Sequence, residues 1–162
     1  MKAEVFSSDF VMGLAIFLIG MVMFEVFYGN LHSEINDYKI RDDIQAKVNS
    51  IADTLVTSTG YPEYWDNNTV KVIGLFSDGL INLTKFEELQ KIEYYTAKRI
   101  MGVGGYEIYI EIRNKTEDVI NGYTYGIKEG ENANQVFYVK RLGLVDFNGN
   151  ITKAILNIGV WS

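Results

Sequence analysis

The distribution of hydrophobic and polar residues changes character twice along the chain. Residues 10–24 are all apolar or glycine, and beyond Glu25 the apolar run continues to Tyr28. Residues 31–55 instead place an apolar side chain every three or four positions, which predicts an amphipathic helix. From residue 106 onward the pattern becomes strand-like and rich in Tyr, Ile, Val and Phe. The sequence therefore predicts a long helix followed by a sheet.

The two helical patterns join into one predicted helix of about 50 residues from near Ser8, roughly 75 Å long at the α-helical rise. Gly60 and Pro62 are helix breakers and mark its end. The apolar stripe of its second half consists of Leu31, Ile35, Tyr38, Ile44, Val48, Ile51 and Leu55. The first half is apolar on all sides and needs lipid or similar helices around it, whereas the second half needs one globular partner.

The rest of the chain is predicted to supply that partner. Thr84 and Glu87 form a capping-box pattern that would begin a second helix, which ends at Gly102. Four strands are predicted, in the segments 106–114, 122–129, 135–147 and 151–161. The predicted turns are Asn121 with Gly122 and Asn148 with Gly149. The last two strands are expected to form one hairpin.

The last strand indicates how the sheet meets the helix. Its alternating apolar residues are predicted to share the face that packs on the long helix, and they are Ala154, Leu156, Ile158 and Val160. The predicted fold class is therefore α+β. A long N-terminal helix, membrane-spanning in its first half, packs on a C-terminal antiparallel sheet in a lollipop-like arrangement.

Three interpretations are open for residues 10–28, which number about 19 against the roughly 20 needed to cross a bilayer. A cleaved secretory signal peptide needs small residues at a cleavage site, and the following sequence GNLHSE offers none. A buried core helix needs a large protein around it, and only about 130 residues remain. An uncut membrane span is favoured, and Lys2 indicates a cytoplasmic N-terminus.

Composition excludes several classes of function. The formal net charge of -6 argues against nucleic-acid binding. The absence of cysteine excludes disulfides, thiolate catalysis and zinc–thiolate sites, and the single histidine, His32, excludes a multi-histidine metal site. The sequence also has no Gly-rich phosphate loop and no carboxylates clustered at metal-binding spacing. We therefore expect a protein that is not an enzyme and holds no cofactor or metal.

Four Asn-x-Thr sequons are candidate N-glycosylation sites, at Asn67, Asn82, Asn114 and Asn150. All of them lie beyond the apolar run, as a glycosylated exterior domain would require. An Asn-rich chain also produces such triplets by chance, so both interpretations stay open.

Two stretches resemble one protein family. The opening MKAEVFSSDF, followed directly by an apolar helix, resembles the class III signal peptide of archaeal prepilins. A second stretch resembles a pattern of archaeal type IV pilin-like proteins, through Gly60, Tyr61, Pro62, Trp65, Gly74, Leu75, Lys85 and Leu89. Together with the long helix, the resemblance covers about residues 1–105.

The resemblance implies a processing route and a function. A prepilin peptidase would cut after Ala3 and leave Glu4 first, so that residues 1–3 are a leader, 4–59 the long helix and 60–162 an exterior head. The chain would lie in the membrane with a cytoplasmic N-terminus and then assemble with other pilin subunits into an extracellular adhesive filament. The alternative is a single-span membrane anchor that carries a binding module and does not polymerise.

Four residues of the N-terminal helix are candidates for subunit packing under this resemblance. Asp9 would neutralise the amino terminus of a neighbouring subunit, with Glu4 as a rival for that role and a helix N-cap as the alternative for Asp9. Gly13 and Gly20, seven residues apart, would allow close helix approach, although glycine is common in membrane helices. Glu25 is either a membrane-interface residue or an intersubunit partner.

An aromatic group surrounds Pro62, formed by Tyr61, Tyr64 and Trp65. It is interpreted either as a packed turn that braces the end of the helix or as a patch that binds carbohydrate or another surface. His32 is expected to be solvated just outside the membrane.

Overall fold

The computed structural model describes residues 8–131, 133–147 and 149–162, without the side chains of residues 33 and 36. The predicted leader residues Ala3 and Glu4 lie outside the described residues. The described chain forms helices α1 (Ser8–Thr57), α2 (Leu83–Lys91) and α3 (Tyr94–Met101). It also forms strands β1 (Phe76–Ser77), β2 (Leu80–Ile81), β3 (Glu107–Arg113), β4 (Val119–Gly126), β5 (Val136–Phe147) and β6 (Asn150–Trp161). The α+β class is confirmed.

Helix α1 confirms the predicted long N-terminal helix, with 50 residues that run without interruption through Gly29 and Asn30. It ends at Thr57, shortly before the predicted breaker Gly60, whose φ of +82° is incompatible with a further helical turn. The chain divides into two compact units, Met1–Arg41 and Asp42–Ser162, here called the N-terminal unit and the head unit.

The apolar stripe of α1 is divided between the two units, which corrects the prediction that all of it packs on the globular partner. Ile44, Val48, Ile51 and Leu55 are buried in the head unit, together with Ala52. The three preceding stripe residues, Leu31, Ile35 and Tyr38, belong to the N-terminal unit and are exposed. The regular helical spacing continues through the boundary, so it could not indicate where burial begins.

The six strands form one sheet in the order β1-β2-β5-β6-β3-β4. The four long strands pair antiparallel, as predicted, and β5 and β6 form the predicted hairpin. Its turn lies between the paired residues Phe147 and Asn150 and contains Gly149 at a φ of +87°, whereas Asn148 lies outside the described residues. The short strands β1 and β2 were not predicted, and β2 pairs with β5 in parallel, so the sheet is mixed.

One face of the sheet, here called the inner face, forms the core of the head. The prediction for β6 is confirmed, because Ala154, Leu156, Ile158 and Val160 are all fully buried. Arg141 is paired with Leu156 and therefore lies on the same face. Its guanidinium donates to Asp53 at 2.9 Å and to Asn49 at 3.1 Å, and both acceptors belong to α1. The inner face is thus the one directed at the head portion of α1.

The predicted second helix is in fact two helices. The capping-box prediction at Thr84 is wrong, because Asn82 is the N-cap of α2 and its side-chain oxygen accepts from the Lys85 N–H at 3.1 Å. Glu93 caps α3 by accepting from the backbone N–H groups of Tyr95 and Thr96, which separates the two helices. The predicted end of the helical region at Gly102 is confirmed, with a left-handed φ of +69°.

The predicted turn at Asn121 and Gly122 is also wrong, because both residues lie within β4. The chain instead turns immediately after β3, where the Asn114 side-chain oxygen accepts from the backbone N–H groups of Thr116 and Asp118 at 2.9 Å. This side chain supplies the local hydrogen bonds that a turn needs. Asn121 and Gly122 are then absorbed into a strand whose pairing with β3 shifts register between Glu111 and Arg113.

Candidate functional site

The apolar segment of α1, residues 10–28, is exposed along its whole described length. An 18-residue window of α1 is long and apolar enough to cross a membrane, and none of that window is buried within the chain. A signal sequence near an N-terminus meets the same criterion of length and composition. The segment is therefore compatible with a membrane-spanning or signal helix.

The predicted subunit-packing residues Asp9, Gly13, Gly20 and Glu25 are all exposed, and they lie in or directly before this apolar segment of α1. Asp9 is inside the first turn, so it is not the N-cap, and its carboxylate lies at the positively charged end of the helix. A Cβ added at Gly13 or Gly20 would meet nothing within 4 Å, so the fold of the described chain does not require glycine there. Glu25 and His32 are exposed. Roles for the acids and glycines in subunit packing stay predictions.

The predicted head motif does come together in space, at the end of α1. We call Gly60, Pro62, Trp65, Gly74 and Lys85 the helix-exit cluster. The buried indole of Trp65 donates from Nε1 to the carbonyl oxygens of Thr59 and Gly74, both at 3.1 Å. One aromatic side chain thereby joins the segment that leaves α1 to the segment that enters β1.

The two glycines of the helix-exit cluster are required by close approach. A Cβ on Gly74 would lie 2.3 Å from the Ser58 carbonyl oxygen, and a Cβ on Gly60 would lie 2.5 Å from Trp65 Nε1. Both distances are far inside van der Waals contact, so a larger residue would force the backbone segments apart. Pro62 lies in the same loop, after a cis peptide bond from Tyr61.

Lys85 completes the helix-exit cluster with a buried positive charge. Its Nζ donates to the carbonyl oxygens of Thr59 at 2.5 Å and Glu63 at 2.9 Å. Burial lowers the pKa of Lys85, while the charges of Glu63 and Asp78 act in the opposite direction. The ammonium satisfies carbonyls just beyond the C-terminus of α1, where positive charge is favoured.

These contacts support the interpretation of the aromatic group as a packed turn. Trp65 is its buried member, and both polar contacts of its indole are to backbone. Tyr61 and Tyr64 are exposed, and Lys71 lies over the Tyr61 ring at 5.8 Å from its centroid. The head motif is therefore a structural brace in this chain, with the two tyrosines on its surface.

The four sequons occupy different environments. Asn82 uses its side-chain oxygen to cap α2, and Asn114 uses its own to form the turn after β3. The Asn67 side-chain oxygen accepts from Asn68 Nδ2 at 3.1 Å. Asn150 is exposed at the start of β6, and its side chain makes no hydrogen bond to the described residues. Asn150 is thus the sequon with the freest carboxamide in the described structure.

The other face of the sheet, here called the outer face, carries a buried polar group that the sequence analysis did not identify. Glu111 of β3 is paired with Asn157 of β6, and each has less than 5% of its surface exposed. Asn157 Nδ2 donates to Glu111 Oε1 at 2.8 Å, and Arg113 Nε donates to the same oxygen at 2.6 Å. Burial acts to raise the pKa of Glu111, but the hydrogen bonds from Asn157 and Arg113 outweigh it and hold the pKa below its usual value.

The sequence contained part of the signal for this polar group. Alternation along β3 places Tyr109, Glu111 and Arg113 on one face, opposite the buried isoleucines. Their meeting with Asn157 depends on strand order and register, which alternation does not give. Within the described residues, no group of three or more His, Cys, Asp or Glu side chains is arranged to hold a metal ion.

Comparison of the chain with protein-family models, with curated proteins and with solved structures gave no significant match.

Proposed function

We propose that this chain is a pilin-like structural subunit of an archaeal type IV pilus-like surface filament. The observation that carries the proposal is the character of α1, whose exposed apolar segment continues without a break into residues buried in the head unit. A helix that is apolar around its circumference is stable either in lipid or among similar helices. The same surface can therefore hold the subunit in the membrane and later form the core of a filament.

Processing and location follow from this proposal. A prepilin peptidase removes residues 1–3 by cutting between Ala3 and Glu4, while the membrane holds the helix. Assembly with other pilin subunits then places the head, residues 60–162, outside the cell, where the filament serves adhesion. The exposed Asn150 is the sequon best placed to carry a glycan.

Mass spectrometry of the native N-terminus tests the proposal most directly. The chain should begin at Glu4, and the same species should be present in filaments sheared from the cell surface. An intact MKA start in a protein that is confined to the membrane fraction would contradict it. That result would support the alternative function, a single-span anchor for an exterior binding module, which the exposed apolar segment also favours.

The charge-pairing role of the N-terminal acids is tested by Glu4→Ala and Asp9→Ala in cells that make the filament. Each substitution removes a carboxylate that would pair with the amino terminus of a neighbour in a low-dielectric core. We expect at least one of them to reduce the yield of sheared filaments severely. Asp37→Ala, which alters an exposed acid farther along α1, is the matched control and should leave the yield unchanged. Normal yields from both test variants would exclude the pairing role.

A further inference from the structure

One edge of β5 is open. This strand pairs with β6 along its whole length, but on its other side it pairs only with the short strand β2, at Val145. Residues 136–142 therefore border no strand on that side within the described chain, and we call this stretch the open edge. Its side chains are exposed or half-buried, and Leu142, at 81%, is more exposed than any apolar side chain of residues 10–28.

The backbone groups of the open edge alternate in direction. In an antiparallel ladder, alternate residues exchange hydrogen bonds with the neighbouring strand, and the residues between them direct their N–H and C=O groups away from it. Ser162 donates its N–H to the Gln135 carbonyl oxygen at 3.2 Å, so the alternate residues from Gln135 onward bond to β6. The residues that direct both backbone groups outward are therefore Val136, Tyr138, Lys140 and Leu142. Within the described residues, a 3.5 Å contact from the Arg141 guanidinium to the Lys140 carbonyl oxygen is the one hydrogen bond that reaches these groups.

The opposite edge of the sheet, formed by β4, is covered by the chain itself. Gln90 of α2 donates from Nε2 to the carbonyl oxygens of Gly122 at 2.6 Å and Thr124 at 2.9 Å. A row of unpaired backbone groups is a template for a further strand, and native proteins generally cover it or guard it with charged side chains. The head unit covers its β4 edge in this way and leaves the open edge uncovered.

The charged side chains of the open edge do not guard it. Lys140 Nζ lies 2.6 Å from a carboxylate oxygen of Glu117, which belongs to the turn between β3 and β4 on the far side of β6. The Lys140 side chain therefore reaches across β6, away from the open edge. Arg141 Nε lies 2.9 Å from a carboxylate oxygen of Asp53 in α1, so this side chain is held over the inner face. The open edge thus presents backbone groups flanked mainly by apolar side chains.

The open edge is complementary to itself. Two copies related by a two-fold axis run their open edges antiparallel, with Val139 at the centre of the overlap of residues 136–142. Each outward N–H then meets an outward C=O of the other copy, because the facing positions both belong to the outward-directed set. On the outer face, Tyr138 of one copy faces Lys140 of the other, so no two lysines are opposed. A second copy of the chain is therefore a strand that fits.

We propose that the open edge pairs with the open edge of a second copy of this chain, and that the two copies belong to different filaments. Antiparallel pairing of one edge with itself has its two-fold axis perpendicular to the sheet, so the part of α1 in the head unit runs in opposite directions in the two copies. Subunits taken up from one membrane enter a filament in the same direction and cannot pair in this way. The location between filaments rests on the proposed filament function, whereas the pairing of two chains does not.

Sedimentation equilibrium of the full chain, in an excess of density-matched detergent micelles, tests the pairing. The parent is expected to form dimers. Lys140→Pro removes an outward N–H without removing a bond to β6, and should weaken dimerisation at least about tenfold. Lys140→Ala, the matched control, keeps the N–H and should dimerise like the parent. A parent that stays monomeric at about 100 μM, or equal dimerisation of the two variants, would overturn the proposal.

Disulfide cross-linking locates the contact, because the chain has no cysteine of its own. Val139→Cys places one thiol at the centre of the overlap, opposite its own copy in a non-hydrogen-bonded pair, where Cα atoms about 4.5 Å apart permit a disulfide. Mild oxidation in micelles should then give covalent dimers. Lys153→Cys, at an exposed position of β6, is the control and should give far fewer. Equal yields would overturn the pairing, and this test stays valid if Lys140→Pro disturbs folding.

Electron microscopy of filaments sheared from cells separates this proposal from the filament function. Parent and Lys140→Ala filaments should lie side by side in bundles, whereas Lys140→Pro filaments should have a normal yield and lie singly. Bundles of Lys140→Pro filaments like those of the parent, or single filaments in all three cases, would overturn the placement of the contact between filaments. A chain that dimerises in micelles but forms no filaments would overturn the filament function and leave the pairing of two chains intact.

Discussion

The N-terminal part and the head part of α1 form one continuous helix, but their apolar side chains differ in solvent exposure. Residues 10–28 present them outward on all sides, whereas Ile44, Val48 and Leu55 bury them in the head unit. Helical periodicity alone therefore does not determine burial. In the head unit the rest of the chain covers the apolar stripe, and in the N-terminal unit an environment from outside the described chain must do so.

Glycines show the same contrast. Gly13 and Gly20 have open space around them, while Gly60 and Gly74 are surrounded at distances that exclude any side chain. In the head unit glycine is required by the fold of a single chain. In the apolar segment a requirement for glycine could come only from a partner helix.

The largest effect that separates the two parts of α1 is expected from Leu55→Ala. Leu55 is 1% exposed, and removing its side chain leaves a cavity that lowers the free energy of unfolding by about 2–5 kcal/mol. Urea unfolding in micelles, followed by tryptophan fluorescence, measures this change. Both tryptophans, Trp65 and Trp161, lie in the head unit and are buried, so the signal reports on the head.

Leu31→Ala is the matched control on the exposed part of the same stripe. Leu31 has 42% of its surface exposed, so the free energy of unfolding of the head should change by no more than about 0.5 kcal/mol. A loss comparable to that of Leu55→Ala would show that the stripe acts as one unit, and the contrast drawn here would be wrong.

The next largest effect is expected from Gly74→Ala. The new Cβ would lie against the Ser58 carbonyl oxygen, and overpacking against backbone should cost about 3 kcal/mol of head stability. Gly13→Ala, the comparison variant, meets open space in a helix and should leave head unfolding unchanged. If the two variants unfold at the same urea concentration, the close approach at Gly74 is not present in solution.

A smaller loss, about 1–2 kcal/mol, is expected from Lys85→Met. The substitution keeps most of the apolar stem but leaves the carbonyls of Thr59 and Glu63 without the ammonium donor. Lys153→Met, on an exposed lysine of β6, should change stability by no more than about 0.5 kcal/mol. Equal stability of the two variants would show that Lys85 does not stabilise the head.

The smallest effect is expected in how the free energy of unfolding of the head depends on pH below neutrality. The pKa of Glu111 is lowered in the folded head, so its contribution to stability is complete above its unfolded value of about 4.3 and is lost as the pH falls through the folded pKa. Glu111→Gln should therefore flatten the fall in unfolding free energy below about pH 4.3. Glu131→Gln, an exposed control, should keep the parental slope, and identical slopes in all three proteins would contradict the assignment.

Patterns local in sequence predicted much of the fold. The length of α1, the β5–β6 hairpin and the buried face of β6 were predictable because helical spacing, a turn dipeptide and alternation each act over a few residues. The failures arose where two local signals competed. Asn82 displaced Thr84 as the cap of α2, and Asn114 formed the turn that Asn121 and Gly122 were expected to form.

The sites were predictable to different degrees. The helix-exit cluster was found through resemblance, and its physical reason became visible only when the contacts of Gly74 and Lys85 were known. The buried polar group of the outer face was missed, because Glu111 and Asn157 are 46 positions apart and meet only through the strand register. A long-range pairing of this kind leaves no periodic trace in a single sequence.

The position of β6 has a consequence for the order of events during synthesis. This strand lies between β3 and β5, so the β1-β2-β5 portion and the β3-β4 portion of the sheet cannot join before residues 150–161 have left the ribosome. By then α1 has already been translated. The part of its apolar stripe that is buried in the folded head, from Ile44 to Leu55, therefore stays exposed until the strands that cover it have been synthesised. The head is thus expected to close late and in one step, and nascent chains that stop before residue 150 should be substrates for chaperones and proteases.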